Sequence, residues 1–192
     1  MARPASIEEE ELIARLSSVF RDVGYEGASL AMLSEATGLQ RASLYHRFPG
    51  GKQQMATEVL TSAIEWTRIN VVGPLTREGD LSKRLAEARA NLREIYDSGS
   101  KSCLLNMLMA PRNLGGPFAP AIKTAFGALI DAFAHFAREA GHRDGAARKA
   151  GRRALTLIQG SLVLSRGLQD PRPFREALNA LEAELFPQRG EA

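Results

Sequence analysis

Between Gln40 and Lys52 the chain presents side chains suited to reading base edges and holding phosphates: Gln40, Arg41, Ser43, Tyr45, His46, Arg47 and Lys52. Arginine can donate twice to guanine, glutamine can pair with adenine, and hydroxyls can donate to phosphate or to either base. From Ala36 to Thr57 no acidic residue interrupts this run. Elsewhere the sequence offers little chemistry. It has no HExxH, no GxSxG and no paired cysteine, and Gly50-Gly51-Lys52 is not a phosphate-binding loop, because position 46 is His. No enzyme activity, cofactor or metal is expected. His135, Glu139 and His142 fall at i, i+4 and i+7, a spacing that one helix face could offer to a metal or simply to solvent. Cys103 is either a redox-sensing thiol or a small core residue beside Leu104 and Leu105.

Side chains that read a groove must be carried on a short, firmly packed helix, and the surrounding pattern supplies one. Ser29 can cap a helix bearing Leu30, Leu33 and Ala36, and Gly38 can take the left-handed conformation that ends it. Leu39 then plugs a turn, and a second short helix runs to about Arg47 with Leu44 and Phe48 turned inward. Helix, Gly-containing turn and helix at this spacing form a helix-turn-helix, whose second helix enters the major groove. Ahead of it a helix capped near Ser6 carries Glu8 to Glu11 in its first turn, where the helix dipole favours acids, and ends at Gly24.

The rest of the chain also reads as helix, with apolar residues at three- and four-residue steps and no sustained alternation of period two. Helices are expected over about 52–72, 81–98, 102–110, 121–140 and 146–168, with a last one ending near Phe186 and a loop over 111–120. The fold class is therefore all-α, with about nine helices. Pro49-Gly50-Gly51 divides a domain at 1–51 from one at 52–192.

Charge sharpens this division. The 192 residues hold 25 basic and 22 acidic side chains, a net +3 that declares no partner by itself. Seven of the acids lie in residues 1–35, so the near-cancellation hides a local basic face. Hydrophobic residues at 44% and charged residues at 24% are ordinary globular values, which argues against disorder. No apolar run approaches the roughly 20 residues that span a bilayer, so no membrane partner is expected. The N-terminus lacks a secretory centre, and the single cysteine fits a reducing cytoplasm.

The stretch GYEGASLAMLSEATGLQRASLYHRFPGGK, within residues 12–60, resembles the DNA-binding domain of the TetR (tetracycline-repressor) family of bacterial transcription regulators. Gly24-Tyr25, Gly38-Leu39, Leu44-Tyr45-His46, Phe48-Pro49 and Lys52 carry the likeness, and the Pro-Gly-Gly-Lys turn is similar to that of the multidrug-regulator-like branch. The resemblance implies that Ser29, Tyr45 and Lys52 hold phosphates, while Gln40, Arg41, Ser43 and His46 face base edges or nearby phosphates. Gln40 departs from the family's usual Ser or Thr cap, Ala28 and Thr37 replace a usual Thr and Ala, and Arg47 stands where His is common.

For residues 52–192 the resemblance implies a homodimer that binds a small-molecule effector. Trp66, Tyr96, Met107, Met109 and Phe126 are the expected pocket, and an apolar or aromatic ligand is expected because no charged cluster points to another kind. Phe126, Ile130 and Phe133 on one long helix, with Leu155, Ile158 and Leu162 on the next, form apolar stripes that face either a partner copy or the subunit's own core. The expected function is a repressor that binds a palindromic double-stranded DNA operator as a dimer and is released by its effector, the helix from Lys52 acting as lever. The alternatives are a helical small-molecule-binding protein without DNA affinity, and a small metal-dependent helical enzyme using His135 and Glu139.

Overall fold

The computed structural model describes residues 7–109 and 115–187, and among these no strand occurs. The all-α expectation is met. The helices are α1 (Glu9–Gly27), α2 (Leu30–Thr37), α3 (Arg41–Arg47), α4 (Gly51–Thr67), α5 (Gly73–Thr76), α6 (Leu81–Ile95), α7 (Leu104–Met107), α8 (Ala119–Glu139), α9 (Asp144–Leu168) and α10 (Arg172–Leu185). The expected cap at Ser6 lies outside the described residues; α1 is preceded by Glu8, whose side chain makes no capping bond.

Differences from the sequence pattern have local causes. Gly24 takes φ 73 and breaks α1, leaving one further turn before Ala28. The helix expected over 52–72 loses its α register at Arg68, and a π-helical segment, Arg68–Val72, completes it. Asn70 Nδ2 donates to Trp66 O at 2.9 Å, and Asn91 Nδ2 donates to Asn70 O at 2.8 Å, so side-chain amides supply partners where the ladder changes. Helix α6 stops at Ile95 rather than at 98, because Asp97, Ser98 and Gly99 all take positive φ. Helix α7 is only four residues long, and residues 111–114 of the expected loop lie outside the described residues, while its last two residues open α8.

The contacts divide the chain into two compact units, Met1–Ile64 with Leu104–Pro120, and Glu65–Cys103 with Ala121–Ala192. In the first, Leu16, Phe20, Leu33, Leu44, Phe48 and Met55 are fully buried. The second is built on α8, α9 and α10, with Phe133, Phe136, Phe174, Leu178 and Leu181 wholly covered. Helices α8 and α9 approach closely at Gly151, where a Cβ would stand 2.5 Å from Ile130 O and 2.9 Å from Ala134 N. Only glycine permits that approach.

The same burial corrects the expected dimer surface. Phe133, Leu155, Ile158 and Leu162 are 8% exposed or less within the chain itself. Side chains already covered have no apolar area left to give a partner. Phe126 and Ile130 are half-buried. The open apolar side chains on α9 are Val163, Leu164 and Leu168, at 48%, 57% and 65% exposure.

Candidate nucleic-acid interface

The first unit is arranged around the turn between α2 and α3. Ser29 precedes α2 with extended backbone, and its hydroxyl accepts from Met32 N at 3.2 Å, as an N-cap should. Gly38 ends α2 in the left-handed region, φ 70. Thr37 is buried, and its hydroxyl donates to Leu33 O at 2.8 Å while accepting from Leu39 N at 3.4 Å. Ser34 donates to Leu39 O at 2.5 Å, so the turn is pinned on both sides. Arg15 on α1 reaches the open end of α2 through Thr37 O, at 3.4 Å.

Helix α3 is held by Leu44 and Phe48, both fully buried. Gln40 stands at its N-cap with extended backbone and no side-chain capping bond. Around the rest of α3, Arg41, Tyr45 and His46 are exposed and Ser43 is half-buried. Among the described residues, the side chains of Gln40, Arg41, Ser43, Tyr45 and His46 have no hydrogen bond or ion pair. Their donors and acceptors are therefore open to a ligand from solvent.

Two cations of the run are engaged internally. Arg47 turns back and pairs with Glu9, its Nε lying 3.3 Å from Glu9 Oε2, and a second contact reaches Glu58 at 3.4 Å. The hydrogen bond that Arg47 donates to Glu9 raises the guanidinium's pKa above its already high value. Lys52 is half-buried; its Nζ donates to Tyr25 O at 2.9 Å and to Ala28 O at 3.0 Å, with the ammonium 4.5 Å from the centre of the Tyr25 ring. An ammonium has three donors, so one remains for an anion. Burial raises the pKa of the Tyr25 phenol, with Glu26 adding to the effect, so the ring beneath Lys52 stays neutral.

Sequence reasoning missed the support behind this clamp. The Tyr25 ring meets Phe118 edge-on at 5.0 Å, and a Cβ on Gly24 would stand 3.1 Å from Met107 O. Met107 and Phe118 thus complete the packing at the end of α1. No local pattern announces a partner so distant in sequence.

The expected effector residues fall in both units, Met107 and Met109 in the first and Trp66, Tyr96 and Phe126 in the second. Met109 is 44% exposed, and Tyr96 is engaged, its ring edge-on to Phe174 at 5.6 Å and its hydroxyl 3.5 Å from the buried Cys103 Sγ. The metal alternative finds no support in the geometry. His135 Nε2 lies 3.4 Å from Glu139 Oε2, which also accepts from Arg84 at 2.7 Å. Among the described residues no group of three potential ligands converges.

Comparison with known proteins agrees with this geometry. Residues 12–59 match the family of bacterial regulatory proteins, tetR family. The HTH-type transcriptional regulator LmrA of Bacillus subtilis (strain 168) is 25% identical over 164 residues, covering 81% of this chain and 85% of that protein. A TetR transcriptional regulator from Legionella pneumophila superposes with a TM-score of 0.77 at 16% identity, over 95% of this chain and 100% of the other. A cysteine mutant of the TetR-family regulator CifR, solved with 26 bp of double-strand operator DNA, gives a TM-score of 0.72 at 24% identity, over 97% of this chain and 100% of the other. The two solved structures speak for the fold.

Proposed function

We propose that this chain, whose residues 12–59 match the tetR family of bacterial regulatory proteins, is a DNA-binding transcriptional regulator, a repressor that grips a palindromic operator as a homodimer and releases it on binding a small apolar or aromatic effector. DNA reading falls to residues 1–51, effector binding and dimerisation to 52–192, and the regulator acts in the cytoplasm. No helix among the described residues is long and apolar enough to cross a membrane.

The observation that carries the reading is the open face of α3. Gln40, Arg41, Ser43, Tyr45 and His46 are uncommitted, on a helix whose position is fixed by Leu44, Phe48 and the pinned turn. Arg41 and Gln40 read base edges, Ser43 and His46 contact bases or nearby phosphates, and Ser29, Tyr45 and Lys52 hold the backbone. Two copies must present their α3 helices about 34–36 Å apart to enter successive major grooves. The open apolar side chains Val163, Leu164 and Leu168 support α9 as the pairing surface, and Gly160 and Gly167, beside which a Cβ would meet nothing within 4 Å, allow close helix approach there. Trp66, Tyr96, Met107, Met109 and Phe126 remain the proposed effector contacts, and α4 carries the change of state, since a ligand moves an equilibrium only through its differential affinity for the two states.

A mobility-shift titration on the DNA upstream of the chain's own gene tests this. Arg41→Ala should cost about 1–3 kcal/mol on the operator and leave unrelated duplex nearly untouched. Equal losses on both would remove Arg41 from base reading, and absence of salt-dependent duplex binding by the parent protein would remove the function altogether. Leu164→Glu should sediment as a monomer; a variant that stays dimeric would clear α9 of the pairing role. Effectors are sought by screening a small-molecule library for operator release. If Trp66→Ala leaves both effector affinity and release unchanged, the pocket lies elsewhere.

A further inference from the structure

One cavity lies outside everything assigned above. It has a volume of about 450 Å³ and opens between the first turns of α9 and the end of α10. Ala146, Ala150, Ala183 and Phe186 give it apolar walls, and Lys149 and Arg153 give it charge. Its lining is mixed, since His142 and Glu184 also face it, and a few hundred Å³ is the usual size of a small-molecule site.

The charges are not balanced from within. Arg153 donates to Glu184 from Nη2 at 3.0 Å, its Nε lies 2.9 Å from the other carboxylate oxygen, and these two charges offset each other. Lys149 has no hydrogen bond or ion pair among the described residues. It stands one turn from Arg153, and Arg143 and Arg152 beside it are exposed and likewise unpaired. The guanidinium of Arg153 has five N–H donors and keeps several beyond its contact with Glu184. His142, at the cavity wall, holds its Nε2 buried with no partner. Native structures seldom leave such an atom unmatched.

We propose that this cavity binds a small organic carboxylate, its anionic end on Lys149 and Arg153 and its flat apolar body against Phe186 and the three alanines. A fully inorganic anion would leave the apolar walls wet, and an uncharged ligand would leave the Lys149 ammonium unmatched. A turn of the His142 ring brings Nε2 to the second carboxylate oxygen, which gives that atom the partner it lacks. The site shares no residue with the proposed effector contacts, and what marks its ligand is the carboxylate.

Calorimetric titration of the full-length protein with benzoate and 1-naphthoate tests the assignment, with benzamide and inorganic phosphate as comparison ligands. The carboxylates should bind with the larger ring system tighter, and benzamide and phosphate should bind at least about ten-fold more weakly, ~1.4 kcal/mol. Lys149→Glu, a change on an exposed helix face, should abolish binding. Glu184→Gln should tighten it several-fold by releasing Arg153, an effect that mere damage to the fold would not produce. His142→Phe should weaken it while the Trp66→Ala variant binds as the parent does. Carboxylate binding that survives Lys149→Glu, or that weakens in Glu184→Gln, overturns the proposal, as does failure of both carboxylates to bind at millimolar concentration. If phosphate binds as tightly as 1-naphthoate, the apolar walls play no part and the assignment to organic acids fails.

Discussion

Lys52 in the first unit and Arg84 in the second are both turned inward, and the two are used differently. In the first, the Lys52 ammonium rests on two backbone carbonyls and the face of Tyr25. In the second, Arg84 is 2% exposed, donates to Pro74 O at 3.0 Å and Leu75 O at 2.7 Å, pairs with Glu139 at 2.7 Å and lies 5.5 Å from the centre of Phe136. Both satisfy carbonyls at the end of a helical stretch, a service that long basic side chains give at helix C-termini. Only Arg84 has a carboxylate partner and complete burial. Lys52 has neither, so its charge is uncompensated and half open. A cation held by carbonyls alone is anchored yet still attractive to phosphate, whereas one sealed against a carboxylate is architecture.

The largest expected effect lies on the architectural side. Arg84→Met should destabilise the protein by about 3 kcal/mol in denaturant unfolding, because it strands the two carbonyls that the buried guanidinium satisfies. Lys52→Met should cost only about 1 kcal/mol, near the net worth of an ordinary hydrogen bond. Equal losses would erase the distinction. The next test separates the two by function. Lys52→Met should weaken operator and unrelated duplex alike and lower the slope of log affinity against log salt by about one. Arg84→Met, assayed where it remains folded, should leave that slope alone. Replacing the ring beneath the ammonium, as in Tyr25→Leu, should cost about 0.5–1 kcal/mol of cation–π attraction plus its packing on Phe118.

The smallest effect is a pH dependence confined to the second unit. The hydrogen bond from Arg84 holds the Glu139 carboxyl below its usual 4.5, with the charges of Arg84 and His135 acting in the same direction. A carboxylate whose folded pKa is depressed stabilises fully above its unfolded value and loses that contribution as pH falls through the folded one. Acid unfolding of the parent below about pH 4.5 should therefore carry a Glu139 component that Glu139→Gln lacks. The amplitude should be small, because the side chain is 36% exposed and solvent screens the pair. An identical acid limb in both proteins would show that the Arg84 pair contributes nothing.

Features set by neighbours in sequence were legible. The Ser29 cap, the Gly38 turn and the inward set Leu33, Leu44 and Phe48 follow from residues within one or two helical turns of each other. Lys52 was legible as a cation at the start of a helix, but its carbonyl cradle was not, since Tyr25 and Ala28 belong to another element. Arg47 is exposed as its position suggested, but its pairing with Glu9 was not legible, because that partner lies at the start of α1. The dimer stripe failed differently. Leu155, Ile158 and Leu162 recur at the same helical spacing as any surface that must be covered, and periodicity says that a face is buried without saying by whom. The covering turned out to be the chain itself, which leaves the adjacent stripe of Val163, Leu164 and Leu168 open.

The two-part make-up of the first unit has a consequence for synthesis. Gly24 and Tyr25 rest on Met107 and Phe118, residues translated only after α5 and α6 have been made. Pairings so far apart in sequence fold slowly, because a long loop must close before they contribute. On the ribosome, α1 to α3 therefore emerge early, with the Tyr25 ring lacking its Phe118 contact until most of the chain has left the tunnel. A polypeptide released before residue 104 carries every proposed groove-reading side chain without the packing of Met107 and Phe118. The first unit is therefore finished only when more than half of the chain has been made.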